Sequence, residues 1–345
     1  MNEQTNGKKI RIWQQNVRKS WDAQLHTIHA VGNDYDMICL QEPHFDFQEK
    51  TRATGVWRVV LPSRYVSAAQ ERRQVPRAAI LVHESLSTNN WTQIDIDSLD
   101  VVAIQLASEQ GVVNVYNIYN DCTHSDTIHT LERHFDRREV ENNTRNTDSD
   151  EGDIWLGDFN RHHLMWDDPR NNRLFTGAAL DEAQKLIDLL ANGDMSMALP
   201  QCIPTIQNSR GNLTRPDNVF ISNTIADWVI RCDVAPDDQP PKADHFPIIT
   251  ILDLPINRNK RVLTFNFRAT DWDEFRKCLE QELNKIQPQV PIRMPPELDS
   301  ALDQLEGAIL QTMEAIVPKR KPSPYAKRWW TRELTQLRQE MRRQV

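Results

Sequence analysis

The chain has 345 residues, of which 39% are hydrophobic and 26% charged, and it carries a formal net charge of −8. That composition suits a soluble globular protein with room for one large domain or two ordinary ones, and no apolar run reaches the ~20 residues that span a bilayer. Five cysteines, odd in number and never in a Cys-x-x-Cys pair, exclude a disulfide framework or a zinc site as the organising device.

The cysteine usage points to a reducing compartment, and the polar start without a hydrophobic signal core predicts an intracellular protein, nuclear or cytoplasmic. Net acidity argues against nucleic-acid binding, because phosphates are contacted mostly by Lys and Arg. Its distribution weakens that objection. From Asp253 onward there are 17 Lys and Arg against 13 Asp and Glu, and the preceding part holds 24 against 36. An acidic cleft that holds a divalent ion also adds negative charge without repelling DNA, since the ion inverts the local field.

In chain order, residues 9–16 alternate apolar and polar and read as a strand. Residues 21–31 carry apolar positions at helical spacing. Residues 36–41 form a short buried strand, stopped by Glu42-Pro43. Further strands are predicted at 57–61, 77–83, 101–106 and 112–119, and a helix at 126–135. The polar stretch 139–152 lacks a hydrophobic face and reads as a mobile surface loop. A strand at 154–159, a helix at 178–191, and strands at 218–221, 228–234 and 246–252 complete the series. So many strands with interspersed helices imply an α/β or α+β domain of layered sheets over residues 1–252. Residues 253–345 form a mostly helical appendage, with helices expected at 271–286, 297–317 and 328–343 between Pro-rich breaks.

The most informative stretch is Trp155-Leu156-Gly157-Asp158-Phe159-Asn160, an apolar strand running into Gly-Asp-Phe-Asn. Residues i and i+2 of a strand face the same way, so Asp158 and Asn160 are expected to reach into one cleft. There one would accept a proton while the other donates hydrogen bonds, a pairing that suits activation of a water beside a phosphate. Alone, the motif is equally a strand ending in an Asx turn. Asn16 ends the first strand, Glu42 the next in Leu-Gln-Glu-Pro, and Tyr119 another in Asn-Ile-Tyr. Asp217, in Arg-Pro-Asp-Asn, and Asp244-His245, in Ala-Asp-His-Phe-Pro, precede later strands. Singly these are a solvated terminus, an edge aromatic or a capping histidine. Together they are polar residues at strand ends, where loops converge on a rigid scaffold.

The order Asn, Leu-Gln-Glu-Pro, Asn-Ile-Tyr, Gly-Asp-Phe-Asn, Pro-Asp-Asn, Asp-His-Phe-Pro-Ile resembles the endonuclease/exonuclease/phosphatase superfamily along about 250 residues. Within it, Gly157 to Trp166 is most like the apurinic-endonuclease-like domain of non-LTR retrotransposons. The resemblance implies a four-layered α/β sandwich, two packed mixed sheets flanked by helices. It implies Mg²⁺ or Mn²⁺ held by Glu42 with Asn16, and Asp244 near the metal or the leaving group. Asp158 would orient or deprotonate the attacking water, and Asn160 and Tyr119 would bind the phosphate. Asp217 would pair with His245 and keep the imidazole cationic. The implied reaction is nicking of DNA with a 3′-OH left to prime reverse transcription. A phosphatase, an RNA-directed nuclease or a non-catalytic nucleic-acid-binding relic are the alternatives.

Two positions depart from the family pattern. Ala243 stands where Ser or Thr is usual, so one hydroxyl donor is missing, and Asn120-Asp121 replaces a pair such as Ala-Pro. His162 and His163 are adjacent, so on an extended stretch they face opposite ways and do not form a metal pair. His26 and His29 read as a solvated helix pair. Trp166, just beyond the motif, is the tryptophan expected to touch DNA. The segment 322–330 (Pro-Ser-Pro-Tyr-Ala-Lys-Arg-Trp-Trp) and the basic helix after it are similar to the connector between nuclease and reverse transcriptase. It offers weak contact to element RNA, while Lys319-Arg320-Lys321 suits nuclear import.

Overall fold

The computed structural model describes residues 9–32, 34–67, 74–145, 151–208, 210–258, 265–286 and 295–319. The chain divides into two compact units, Met1–Asn259 and Lys260–Val345.

The first unit runs β1 (Ile10–Asn16), α1 (Trp21–Val31), β2 (Met37–Gln41), β3 (Trp57–Val60), α2 (Ser63–Ser67), β4 (Ala78–His83), β5 (Trp91–Ile94), β6 (Val101–Ala107) and β7 (Val112–Tyr119). It continues with α3 (Asp126–Arg145), β8 (Glu151–Asp158), α4 (Gly177–Asn192), β9 (Met195–Met197), β10 (Ile206–Gln207), β11 (Leu213–Thr214), β12 (Asp217–Ser222), β13 (Val229–Val234) and β14 (Ile248–Leu252). Two six-stranded sheets result, ordered β13-β14-β1-β2-β4-β3 and β5-β6-β7-β8-β12-β9, with β10-β11 as a separate ribbon. Each six-stranded sheet has one parallel pair, β1 with β2 and β7 with β8, and antiparallel neighbours on both sides.

Strand alternation explains the layering. Ile10, Ile12, Met37, Cys39, Ile80 and Val82 face Val113, Val115, Ile154, Leu156, Val219 and Ile221 in one buried cluster between the sheets. The opposite faces are apolar too. Tyr116, Ile118, Trp155 and Phe220 pack with Leu131 of α3 and Leu186, Leu189 and Leu190 of α4. Trp13, Ile38, Leu40 and Leu81 pack with Ala23, Ile28 and Val31 of α1. Three apolar interfaces therefore separate four layers, the arrangement the resemblance implied. Each large side chain so buried contributes ~1.5–3 kcal/mol relative to exposure.

Three expectations need correction. Residues 139–145 continue helix α3 rather than forming a loop, and β8 already begins at Glu151. The composition misled because Val140 is the single apolar residue of 139–152, so no helical period is legible there. Just before it, Arg138 reaches Asp153 at 2.7 Å and also Glu151, tying helix α3 to strand β8. Four short strands, β5, β9, β10 and β11, had no legible pattern, being two to four residues long. The last strand starts at Ile248, two residues later than expected.

In the second unit, α5 (Trp272–Asn284) is capped by Asp271, whose Oδ1 accepts from the backbone N–H of Asp273 and of Glu274. It packs with α6 (Pro295–Ile316), where Ala308 and Thr312 are buried. The helix expected at 328–343, the segment 322–330, and Arg320 and Lys321 lie outside the described residues. Among the described residues, no helix is long and apolar enough to cross a membrane.

Candidate active site

The carboxyl ends of β1, β2, β7 and β8 and the amino ends of the antiparallel β12 and β14 lie at the same end of the sandwich, because the registers pair Asn16 with Gln41, Tyr119 with Asp158, and Asp158 with Asp217. The fold thus gathers Asn16, Glu42, Tyr119, Asp158, Asp217 and His245 from six places in the chain. Open α/β sheets bind ligands in this kind of position, beyond the carboxyl ends of their strands.

Backbone geometry concentrates there as well. Arg18, Lys19, Glu42 and Asn160 all hold left-handed φ values, between 46° and 56°. Such non-glycine conformations cost of order 1–3 kcal/mol each and persist only where the surroundings fix them. Gly157 has φ 151°, and a Cβ there would lie 1.8 Å from the carbonyl oxygen of Ile118 on β7. Only glycine lets β8 run so close to β7 just before Asp158.

At the centre, His245 Nδ1 bonds Asp217 Oδ2 at 2.8 Å, and His245 Nε2 lies 3.9 Å from Asp158 Oδ2. All three side chains are buried, at 9%, 3% and 2% exposure. Burial alone would lower the proton affinity of His245, but the charge and hydrogen bond of Asp217, with Asp158 and Asp244 behind them, outweigh it and raise the pKa to about 9. Burial and the charge of Asp217 push Asp158 up to about 7, against the pull of His245 and the hydrogen bonds it accepts. Those bonds come from Asn16 Nδ2 at 2.8 Å and from the Asn160 backbone N–H, at 3.0 Å to Asp158 Oδ1.

Asn16 belongs to the first sheet and Asp158 to the second, so their bond ties the sheets together at the site. A second polar bridge lies nearby. Gln41 donates to Asn117 Oδ1, and Asn117 Nδ2 donates to the carbonyls of Leu40 and Ala79.

Glu42 and Asp244 form a wetter edge. Glu42 accepts a hydrogen bond from the Tyr119 phenol, and Lys19 Nζ stands 3.8 Å from its Oε1. Burial, then the charges of Glu42 and Asp158, raise the Tyr119 pKa, so the phenol keeps its proton. Arg77 lies 4.8 Å over the Tyr119 ring while forking onto Asp100. Asp244 Oδ2 pairs with Arg18 Nη1 at 2.8 Å, and its buried Oδ1 makes no hydrogen bond but lies 4.0 Å from His245 Nε2.

Asn160 reaches the cleft by a route different from the expected one. β8 ends at Asp158, and the left-handed Asn160 turns back so that its Nδ2 donates to the Asn120 carbonyl at 2.8 Å. The shared-face reasoning therefore fails in detail, although the Asn160 backbone N–H does meet the Asp158 carboxylate at that turn. Trp166 is a correction. It is 1% exposed, its Nε1 donates to the Arg161 carbonyl at 3.1 Å, and it packs on Phe220, so its ring has no face for a base. His162 bonds Asp167 and stacks on Phe175, whereas His163 lies against Trp166. His26 and His29 are exposed.

Three buried residues that sequence reasoning missed hold this arrangement. Asn120 accepts no exposure at all. Its backbone N–H donates to the Asp158 carbonyl and its Nδ2 to the Phe159 carbonyl, both at 2.8 Å. Asn120 thus fixes the loop that its departure from Ala-Pro had left open. Thr205 Oγ1 donates to Asp217 Oδ2 at 2.7 Å. The fully buried Arg215 donates to the Leu199 carbonyl and to Asn218 Oδ1, anchoring the entry to β12. Only Asn120 had a signal, as a polar residue just after a strand-ending Tyr.

Residues 112–249 match the model of the endonuclease–reverse transcriptase family. The fold matches the endonuclease domain of TRAS1, a telomere-specific non-LTR retrotransposon, at 17% identity over 72% of this chain and 99% of that one, with a TM-score of 0.52. The family model thus spans 40% of the chain, and the likeness to solved structures is one of fold. A similar fold is found in the AP endonuclease LMAP of Leishmania major, at 15% identity, 72% and 89% coverage and a TM-score of 0.56. It is also found in the APE2 catalytic domain of Xenopus laevis, at 15% identity, 73% and 94% coverage and a TM-score of 0.51. No curated protein sequence matches the chain.

Two sets of groups among the described residues are chemically able to hold an ion. Asp158, Asp217 and His245 offer ligand atoms within 4.8 Å of one another. An imidazole must be neutral to bind a metal, and the Asp217 bond instead favours the imidazolium, so this trio suits proton chemistry better. Glu42, Asp244 and the Asn16 carboxamide are hard oxygen donors, with the two carboxylate side chains partly open to water, the kind of set a Mg²⁺ ion prefers.

Proposed function

We propose that this protein is a divalent-metal-dependent endonuclease that nicks DNA and leaves a 3′-OH, the nuclease part of a non-LTR retrotransposon. The observation that carries this reading is the dry Asp217–His245–Asp158 constellation set directly beside the wetter Glu42 and Asp244. Glu42, Asn16 and Asp244 would hold Mg²⁺ or Mn²⁺, which when bound supplies charge neutralisation at the phosphate oxygens.

The chain's own residues divide the remaining tasks. Asp158, with a proton affinity raised close to neutral pH, accepts the proton of the attacking water while Asn16 and the Asn160 N–H fix its orientation. His245, kept cationic by Asp217, donates to a phosphate oxygen as charge develops there. Asn160 has one Nδ2 hydrogen committed to Asn120 and the other available for the phosphate. Tyr119, protonated, is a second donor. DNA is the substrate class this reading takes, supported by the likeness of fold to a non-LTR retrotransposon endonuclease domain and an AP endonuclease, with element RNA as a proposed partner for the basic tail. Localisation in the nucleus or cytoplasm follows from that substrate.

Conversion of supercoiled plasmid to the open circle in Mg²⁺, with the nicks extendable by a DNA polymerase without end treatment, tests the reading. Loss of nicking in both Asp158→Ala and His245→Ala is expected. DNA binding with no nicking in Mg²⁺ or Mn²⁺ would make the chain a binding relic, and phosphate release from small esters without nicking would make it a phosphatase.

A further inference from the structure

Both exposed cations that follow β1 rest on the carboxylates assigned to the metal. Arg18 pairs with Asp244 at 2.8 Å and Lys19 with Glu42 at 3.8 Å, while their side chains stay 65% and 70% exposed. The backbone beneath them is fixed. The Arg18 N–H donates to Asn16 Oδ1 at 2.8 Å, the Lys19 N–H donates to the Glu42 carbonyl at 2.7 Å, and both residues are left-handed, with φ 50° and 56°. Rigid backbone with mobile charged ends is the geometry of a clamp. The Tyr119 phenol leans on Glu42 in the same way.

Exposed ion pairs of this kind are held by about 0–1 kcal/mol. Arg18 and Lys19 therefore lose little by leaving Asp244 and Glu42, and a doubly charged ion at those oxygens would repel them. With their carboxylates taken, they stand beside the cleft as two long cations, within a protein that is otherwise acidic.

We propose that Arg18 and Lys19 form a metal-released clamp on the DNA backbone. Without the ion they neutralise Asp244 and Glu42, and with the ion bound they turn to phosphates flanking the scissile bond. DNA grip and metal loading are then coupled, so the chain holds DNA firmly only when it is able to cut. The proposal rests on the metal-dependent nuclease reading above.

The test uses the full chain carrying Asp158→Asn, so that DNA survives the measurement, and compares it with the same chain carrying Arg18→Ala and Lys19→Ala. Anisotropy of a labelled duplex gives the dependence of log affinity on log salt, in fixed Mg²⁺ and in EDTA. In Mg²⁺ the parent slope should exceed that of the double substitution by about 1.8, roughly 0.9 for each of two phosphate contacts. In EDTA the two slopes should coincide. Removing the competing cations should also tighten Mg²⁺ binding several-fold in isothermal titration. Arg18→Lys with Lys19→Arg keeps both charges and should restore the slope, which separates charge from any folding defect. Equal slopes in Mg²⁺, or the same difference in EDTA as in Mg²⁺, overturns the clamp while nicking by the native chain leaves the nuclease reading standing. No Mg²⁺ binding and no nicking sinks both.

Discussion

Four carboxylates converge at one end of the sandwich, and they divide by exposure. Asp158 and Asp217 keep 2% and 3% of their side-chain surface in water, whereas Glu42 and Asp244 keep 17% and 29%. The dry pair comes from the second sheet, at the facing ends of β8 and β12. Glu42 and Asp244 lie beside β2 and β14 of the first. Burial makes proton affinity adjustable, and the dry pair accordingly perturbs Asp158 and His245 strongly. Water access lets a carboxylate exchange partners, and the wet pair holds an exposed Arg, an exposed Lys and a phenol, with Asp244 also 4.0 Å from His245 Nε2. On the proposed reading, one half moves protons and the other holds an ion that comes and goes.

Removing charge from the dry half should have the largest effect. Asp158→Asn keeps the acceptor for Asn16 but cannot take a proton. Plasmid nicking should fall by about 10²–10⁴, and no concentration of Mg²⁺ should recover it. Glu42→Gln should behave differently. It weakens the hold on the ion by about 10–100-fold, so the nicking rate in a Mg²⁺ titration should be low at limiting metal and largely return at high metal. If Glu42→Gln were as insensitive to Mg²⁺ as Asp158→Asn, the division into halves would collapse.

The coupling inside the dry half has its own signature. Asp158 must be deprotonated and His245 protonated, so nicking by the native chain should rise through about pH 7 and fall through about pH 9. Asp217 raises the proton affinity of both groups. Asp217→Asn removes that charge, so Asp158 ionises at lower pH and His245 loses its proton at lower pH. Both limbs of the rate profile should move in the acid direction together, with the rate at the optimum reduced. A shift of one limb alone would show that Asp217 acts on only one of its neighbours.

How much of this was legible follows the same division. Asn16, Glu42, Tyr119, Asp158, Asp217 and His245 each sit next to a strong strand pattern, and a strand end is something a sequence displays. The supports do not. Asn120 reaches the Phe159 carbonyl 39 positions away, Gln41 reaches Asn117 across 76, and Arg215 bonds the Leu199 carbonyl across 16. Side-chain to backbone bonds between distant segments leave no local period to read. Helix α3 shows the converse failure. Its last turns looked like loop because Val140 is the single apolar residue of 139–145, which leaves no helical period to read. Trp166 belongs with these supports, since its neighbours Phe159 and Phe220 are brought to it by the fold.

Trp166 therefore gives the smallest functional effect and the cleanest contrast with the site beside it. Its indole N–H satisfies the Arg161 carbonyl, and Arg161 in turn donates to the carbonyls of Asp121 and Asn160. Trp166→Phe keeps most of the apolar contact and deletes one donor, leaving a buried carbonyl unpaired at a cost of about 1–3 kcal/mol. Urea unfolding should report that loss as a lower midpoint. DNA affinity should stay unchanged within twofold, because a ring with 1% exposure has nothing to offer a base. A tenfold weaker affinity with an unshifted midpoint would mean that the ring swings out to meet DNA, and the boundary drawn between site and support at Phe159 would have to move outward past Trp166.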